Sequence, residues 1–277
     1  MAISVPMQRC LFLLLFLASL ALRGQVPTSV LGGARSTALG QASVALMHPW
    51  SALHNQAATA FLENSSLGIN YQNRFMLPGL ELGHAFVVLP LNWQGSLGFN
   101  GDFLGNADYG ASRLGLSYAQ AFGPQLAFGL QLNYHRSAVS EGPDLGAVTY
   151  EISVFYRPTD KLDLGFQAIN PSGEEWSGEA VQALPSLGRL GMTYRFSEAV
   201  LLSAEAASDL RYGERYGLGF EYGLWHFLDL RCGLAATEEY FATAGMGLHW
   251  EDFSLALAYE YGFLLGNNLS YSLQWSW

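Results

Sequence analysis

The C-terminal stretch Leu269-Ser270-Tyr271-Ser272-Leu273-Gln274-Trp275-Ser276-Trp277 alternates large apolar side chains with small polar ones. In an extended chain successive side chains point to opposite faces, so the apolar residues share one face and the polar residues share the other. The stretch therefore predicts a β-strand that lies between an apolar medium and a polar one.

The same alternation recurs upstream, with turn-forming residues between the segments. Bacterial single-chain barrels of the outer membrane have an even number of such strands. The sequence predicts an all-β fold, a 14-stranded antiparallel transmembrane β-barrel with a short helical N-terminal plug. The predicted strands are 67–74, 80–89, 95–103, 112–122, 125–136, 147–157, 162–170, 186–196, 200–208, 216–224, 228–236, 242–250, 253–262 and 269–277.

The connections between these strands alternate in length. Those after even-numbered strands are short, such as residues 123–124 and 251–252, whereas those after odd-numbered strands tend to be longer, such as residues 137–146 and 171–185. Outer-membrane barrels alternate short periplasmic turns with longer external loops. A soluble two-layer sheet also alternates apolar and polar residues, but it has no reason to follow this rhythm, so we favour the barrel.

The two ends of the chain carry targeting features. Arg9 precedes an apolar run at residues 11–22 that is too short to span a bilayer, which predicts a secretory signal peptide. The aromatic residues Trp275 and Trp277 resemble a barrel-insertion signal, so we expect the barrel-assembly machinery and outer-membrane lipid as partners. We expect a signal peptide at 1–24, a plug segment at 25–64 and a barrel at 65–277, located in the outer membrane of a Gram-negative cell.

Composition excludes several classes of function. The formal net charge of −10 and the lack of basic clusters argue against a nucleic-acid partner. The six histidines are scattered, and no serine or cysteine nucleophile stands in a recognisable motif with one of them, so we expect no enzyme. No cofactor or metal site is predicted. Removal of Cys10 with the signal peptide leaves Cys232 alone, facing lipid, and unable to form an internal disulfide.

The polar faces of the predicted strands carry charges of both signs. Buried charges of opposite sign are expected to pair, which predicts a salt-bridged lumen that is narrow or blocked, in place of an ion-selective pore. The predicted lumenal charge network consists of Arg113, Glu151, Arg189, Glu205, Arg231 and Glu260.

The residues before the first strand are small and apolar enough to pack inside a barrel mouth as a plug. Ser36 is expected to cap a helix that runs to Leu46, and Ser51 a second helix that runs to Phe61. We expect Arg35, which also lies in this segment, to pair with a lumenal carboxylate such as Glu151 or Glu205. The predicted plug anchors are Arg35, Trp50, His54 and Asn55.

A resemblance appears in the same segment. The run GARSTALGQASVAL at residues 33–46, followed by Trp50 and by HNQA at residues 54–57, resembles the N-terminal region of the FadL-like outer-membrane proteins. It is most similar to the PorV/PorQ-type members found in Bacteroidota, in which a Gly-Ala-Arg-x-x-Ala-Leu-Gly-Gly-Ala run precedes Asn-Pro-Ala. This chain has Gln56 in place of that proline, and its external loops are short.

The resemblance implies two non-enzymatic functions. PorV/PorQ-type proteins imply a component or shuttle of type IX secretion, with secretion-system proteins as partners. FadL-like proteins imply the alternative, a passive transporter whose hydrophobic ligand passes the plug and leaves through the barrel wall. A lateral exit needs a bent strand, for which Gly217, Gly219, Gly245 and Gly247 are candidates, although crowding in the lumen explains the same glycines.

Overall fold

The computed structural model describes most of the chain. The predicted signal peptide at residues 1–24 lies outside the described residues. No helix in the described part of the chain is long and apolar enough to span a membrane. The described residues are 32–76, 81–92, 94–105, 109–139, 144–176, 184–209, 213–237, 239–262 and 266–277.

Fourteen antiparallel strands form one closed barrel, as the sequence predicts. Each strand pairs with its two neighbours along the chain, and the first strand pairs with the last. The strands are β1 Ser66–Asn73, β2 Glu81–Leu91, β3 Gly95–Gly105, β4 Tyr109–Phe122, β5 Leu126–Val139, β6 Leu145–Thr159, β7 Leu162–Ile169, β8 Leu187–Arg195, β9 Val200–Asp209, β10 Gly213–Trp225, β11 Leu228–Ala236, β12 Tyr240–Trp250, β13 Phe253–Gly262 and β14 Gly266–Ser276.

The C-terminal stretch closes the barrel. Strand β14 pairs with β1 in an unbroken register from Ser66 opposite Ser276 to Asn73 opposite Leu269. The same strand pairs with β13 on its other side. Closure gives the edge strands β1 and β14 backbone partners, which a sheet in hydrocarbon requires because lipid cannot satisfy free N–H and C=O groups.

The two faces of the wall have opposite character. On β4 and β5 the outward residues Leu116 and Leu130 are exposed, whereas the inward neighbours Ser117 and Gln131 are buried. The outward apolar belt contains most of the large exposed hydrophobic side chains of the described residues. Such a belt fits the hydrocarbon layer of a membrane, and the polar residues line a lumen. Cys232 is on the outward face, as predicted.

Several strands extend further than the alternation predicts. Strands β4 and β10 each begin three residues earlier than predicted, at Tyr109 and Gly213, and β14 begins at Gly266. The added residues include Gly110 and Asn267, which do not continue the alternation of apolar and polar side chains. They are strand residues because the neighbouring strand supplies backbone partners, as in the pairing of β4 with β5 out to Tyr109 and Val139. The predicted long loops are correspondingly shorter.

Residues 32–62 form the plug, which is buried within the barrel. It contains α1 (Ala34–Ala38), α2 (Ser51–His54) and a 3-10 helix (Gln56–Phe61). Helix α1 packs against β12, β13 and β14, and the 3-10 helix packs against β3, β4, β5 and β6.

The two predicted plug helices were wrong in their extents. The first begins at Ala34, after Gly33, and ends long before Leu46, because Gly40 and Gln41 both have φ of 62°. The second is interrupted at Asn55, which is extended and whose side chain accepts a hydrogen bond from the Ala57 N–H at 3.2 Å. Ser51 is the first residue of α2 and does not cap it.

The outward belt can be tested with a charge. Leu116 is 60% exposed near the middle of β4. We expect Leu116→Arg to lower the free energy of unfolding in lipid vesicles by about 2–4 kcal/mol, because an arginine at the bilayer midplane is poorly solvated. Leu116→Val is the control and is expected to fold normally. An equal stability of the two variants would contradict the assignment of this face to hydrocarbon.

Candidate functional site: the plugged lumen

Glycines on the inner wall form a seat for the plug, defined by Gly217, Gly219, Gly233 and Gly245. A Cβ atom on Gly217 would lie 2.4 Å from the carbonyl oxygen of Gly40, and one on Gly219 would lie 2.5 Å from that of Leu39. These distances are far below van der Waals contact, so the plug backbone lies directly on the wall. A larger residue at either position would push the plug away.

No β-bulge interrupts the wall at the glycines considered for a lateral exit. Strands β10 and β11 keep one register through Gly217 and Gly219, and β12 and β13 keep one register through Gly245 and Gly247. Crowding by the plug, and at Gly247 by the guanidinium of Arg231, explains them. The pairing register therefore gives no support for a lateral exit at Gly217, Gly219, Gly245 or Gly247.

Arg189 and Glu205 connect the plug to the wall through a buried ion pair. The Arg189 side chain is 0% exposed, and its Nε atom lies 2.8 Å from a Glu205 oxygen. Arg189 also donates to the carbonyl of His54 at 2.9 Å and to the Ser43 hydroxyl at 3.0 Å. Glu205 accepts the backbone N–H groups of Ser43 and Val44, both at 2.8 Å. Two separate parts of the plug, at Ser43–Val44 and at His54, therefore depend on this pair.

Arg35 forms an ion pair with a lumenal carboxylate, as predicted, but its partner is Glu221 and neither of the two named candidates, Glu151 and Glu205. Its Nε and Nη2 atoms lie 2.8 Å and 2.6 Å from the two Glu221 oxygens. The difference arises because α1 lies against the β12–β14 side of the lumen, where the Ala34 N–H donates to Ser272 Oγ at 2.7 Å.

Glu221 also holds Arg231, another predicted member of the charge network. Arg231 Nε donates to Glu221 at 2.6 Å, and Arg231 Nη2 donates to Asp229 at 2.7 Å. Arg35, Glu221, Arg231 and Asp229 thus form one cluster with two charges of each sign. Opposite charges at this distance compensate the cost of removing each of them from water.

The other predicted anchors are buried in the plug. Trp50 packs edge-on against Phe86 of β2, with ring centroids 4.8 Å apart. Asn55 donates to the carbonyls of Val44 and Val154, at 2.7 Å and 3.1 Å, and so connects two parts of the plug with β6.

His54 is held as a neutral imidazole. Its Nε2 atom lies 2.6 Å from the Gly32 carbonyl, which can only accept, so Nε2 carries the proton. Burial, followed by the nearby positive charge of Arg189, lowers the pKa of His54 to about 3. This histidine therefore contributes a hydrogen bond and no charge. That Arg35, Trp50, His54 and Asn55 act as the anchors of the plug stays a prediction.

Arg113 and Glu151, two members of the predicted charge network, form an ion pair, and Asp102 is a further partner that was not predicted. Arg113 Nη1 lies 2.9 Å from Glu151, and Arg113 Nε lies 2.5 Å from Asp102. Gln56 of the plug donates to Glu151 and to Gln131, both at 3.0 Å. The residue that replaces the proline of the family pattern therefore connects the plug to this network.

An apolar cavity lies above the plug, at the end of the barrel that carries the longer connections. Its volume is about 200 Å³, and the Asp102–Arg113–Glu151 network with His135 forms its polar side. Leu53 is the plug residue that borders it. The remaining apolar lining consists of Leu82, Phe103, Leu104, Ala111, Ile169, Trp176, Leu184 and Pro185.

A second cavity lies at the opposite end, near the short turns. Its volume is about 280 Å³, and its lining is mixed, with the charged side chains of Arg35, Asp229 and Arg231 beside apolar ones. Trp50 borders it from the plug side. The plug therefore separates an apolar outer cavity from an inner cavity that carries charged residues. Within the described ranges no group of three or more His, Cys, Asp or Glu side chains is placed to hold a metal ion.

Comparisons with known proteins support the architecture. No protein-family model and no curated protein matches this chain. Among solved structures, a Pseudomonas aeruginosa FadL homologue is 12% identical, with a TM-score of 0.67 over 92% of this chain and 99% of that one. The Ralstonia pickettii toluene transporter TbuX is also 12% identical, with a TM-score of 0.68 over 89% and 99%.

The Pseudomonas putida toluene transporter TodX is 13% identical, with a TM-score of 0.66 over 92% of this chain and 98% of that one. At these identities the likeness concerns the fold. This chain has the 14-stranded barrel fold of FadL-type hydrocarbon transporters.

The glycine seat can be tested by adding one methyl group. We expect Gly217→Ala to lower the free energy of unfolding by about 1–3 kcal/mol, because its Cβ would overlap the plug backbone. Gly83→Ala is the matched control, since a Cβ on Gly83 would meet no atom within 4 Å. The measurement is urea unfolding of the protein in lipid vesicles. The seat is disproved if both variants keep the stability of the parent.

The buried ion pair can be compared with an exposed one. We expect Arg189→Met to cost about 3–5 kcal/mol of unfolding free energy, because it leaves Glu205 buried without a full counter-charge. Arg136→Met removes an exposed pair with Asp144, in which both side chains are 56% exposed, and is expected to change stability little. Similar unfolding curves for the two variants would show that Arg189 does not hold the plug.

Proposed function

We propose that this protein is a non-enzymatic outer-membrane channel for the passive uptake of small hydrophobic molecules. The observation that carries the proposal is the apolar cavity above the plug. A cavity of about 150 Å³ lined by Leu, Ile and Phe residues is large enough to bind benzene. The outer cavity, at about 200 Å³, is therefore suited to a ligand the size of one substituted aromatic ring.

The fold supports the same proposal. Solved structures with this architecture include two toluene transporters and a monoaromatic hydrocarbon channel, CymD. The outward belt of this chain fits hydrocarbon, which supports a location in the outer membrane. The predicted signal peptide would bring the chain there, and it stays a prediction.

The plug sets the condition for passage. Strand β3 pairs without interruption with β2 from Gly95 to Leu104 and with β4 from Gly95 to Gly105, so this part of the wall is closed. The ion pairs Arg189–Glu205 and Arg35–Glu221 hold the plug across the lumen. A ligand in the outer cavity therefore needs a displacement of the plug or of the wall strands to go further.

The secretion hypothesis has weaker support. Its basis is the resemblance of residues 33–57 to PorV/PorQ-type proteins, whereas the solved structures of similar fold named above are a FadL homologue and two toluene transporters. Secretion-system partners therefore stay a prediction. Copurification from native membranes would test it, since a stable association with large secretion proteins would favour that hypothesis over transport.

The outer cavity can be filled from the wall. Leu104 lines the cavity from β3, so a tryptophan there would occupy the space of the ligand. If toluene loses the burial of about two CH₂ groups, at ~0.8 kcal/mol each, its binding weakens by more than the ~1.4 kcal/mol that corresponds to a factor of ten. We therefore expect Leu104→Trp to reduce toluene flux into vesicles more than about tenfold. Leu97→Trp is the control, because Leu97 lies on the outward face of the same strand. Flux that is equal in parent and both variants, or no flux by the parent, would reject the proposed function.

A further inference from the structure

Glu260 differs from six other acids of the lumen. Asp102, Glu151, Asp163, Glu205, Glu221 and Asp229 each have an arginine partner. Glu260 is 3% exposed, and within the described residues no Arg, Lys or His nitrogen lies within 4.0 Å of its carboxylate. A buried carboxylate without a counter-ion depends entirely on its hydrogen bonds.

Two amide side chains make those hydrogen bonds. Gln41 of the plug donates to Oε2 at 3.1 Å, and Asn268 of β14 donates to Oε1. The orientation of each amide is fixed on its other side: Arg215 donates to the Gln41 oxygen at 2.8 Å, and the Phe75 N–H donates to the Asn268 oxygen at 2.7 Å. Both NH₂ groups must therefore point at Glu260.

This arrangement requires an acceptor at both carboxylate oxygens. An ionised carboxylate accepts at both, whereas a protonated carboxyl has one O–H group that must donate. Neither amide can turn its oxygen toward that O–H without breaking the bond from Arg215 or from Phe75. Protonation of Glu260 therefore removes one of its two hydrogen bonds.

The bonds of Glu260 join two strained segments. Gln41 lies in the turn that rests on the glycine seat and has φ of 62°. Phe75 and Met76 follow β1 and have φ of 56° and 52°. Non-glycine residues hold such backbone angles only where surrounding contacts restrain them. Loss of the bond to Gln41 or Asn268 removes one of these restraints.

The charged surroundings of Glu260 act at longer range. Arg215 on β10 and Arg74 after β1 attract its carboxylate from beyond ion-pair distance. Thr243 faces it from β12, and Asn268 faces it from β14. At the end of β13, the Glu239 carboxylate lies 3.1 Å from the position that a Cβ on Gly262 would take.

We propose that Glu260 is an acid-sensitive link between the plug and the segment after β1. Ionised Glu260 ties the turn at Gln41 to Asn268 and Phe75, and protonated Glu260 releases one side of this link. The contribution of the link is thus complete when Glu260 is ionised and is lost as the pH falls through its titration. The device needs no particular ligand, so it does not depend on the proposed transport.

The test reports plug movement with a buried thiol. Ala42, next to Gln41, is 2% exposed, and Ala42→Cys is made together with Cys10→Ser and Cys232→Ser. The labelling rate with 4,4′-dithiodipyridine is compared between this parent and the same protein with Glu260→Gln, at neutral and acid pH. Because both carry the same thiol, the ratio of the two rates cancels the pH dependence of thiol chemistry. The β-sheet circular dichroism spectrum confirms that each barrel is folded.

We expect Glu260→Gln to label about tenfold faster than the parent at neutral pH, because a hydrogen bond to a charged group is lost. At acid pH the ratio should approach one, since the parent is then protonated. A ratio that does not change with pH would overturn the proposal.

A second variant is expected to reverse the pH dependence of the labelling rate. Asn268→Asp keeps the acceptor for the Phe75 N–H and places a second carboxyl beside Glu260, so the two can share a proton only when it is available. We expect its labelling to be slow at acid pH and fast at neutral pH. The opposite order would also overturn the proposal.

Discussion

The structure depends on one constraint, that no backbone N–H or C=O group of the wall may face hydrocarbon without a partner. A sheet satisfies it only by closing, and the pairing of β1 with β14 achieves this closure. Once the wall is closed, the alternation of side chains sends every second residue inward. Many of those residues are polar in this chain, and the charges among them must find partners.

The plug solves the problem that closure creates. Arg189 and Glu205 share their hydrogen bonds with plug backbone groups, so the wall charges and the plug satisfy each other. Gln56 plays the same part beside Glu151. Removing the plug would therefore leave polar groups without partners, which explains how a segment with only short helices is held in one position.

Strand positions could be predicted from the sequence because alternation is a local signal. The inward placement of Arg113, Glu151, Arg189, Glu205, Arg231 and Glu260 followed from the same signal. Partners could not be predicted, since Arg35 meets Glu221 only because α1 crosses to the β12–β14 side. Arg215 was assigned to a loop, because the first residues of strand β10, from Gly213 onward, do not show the apolar alternation that marks a strand. The end of the first plug helix was missed because Gln41 has a positive φ. Glutamine seldom adopts such an angle, so the residue type gives no sign of it.

The direct contact between plug backbone and wall glycines has a consequence for how such barrels diverge. A methyl group gained at Gly217 or Gly219 has no free volume to enter, so it requires a compensating shift of the chain at Leu39 and Gly40. Plug and wall are therefore bound to change together, as the two halves of a protein–protein interface do. Exchange of plugs between related barrels should succeed only when the wall glycines are transferred with them.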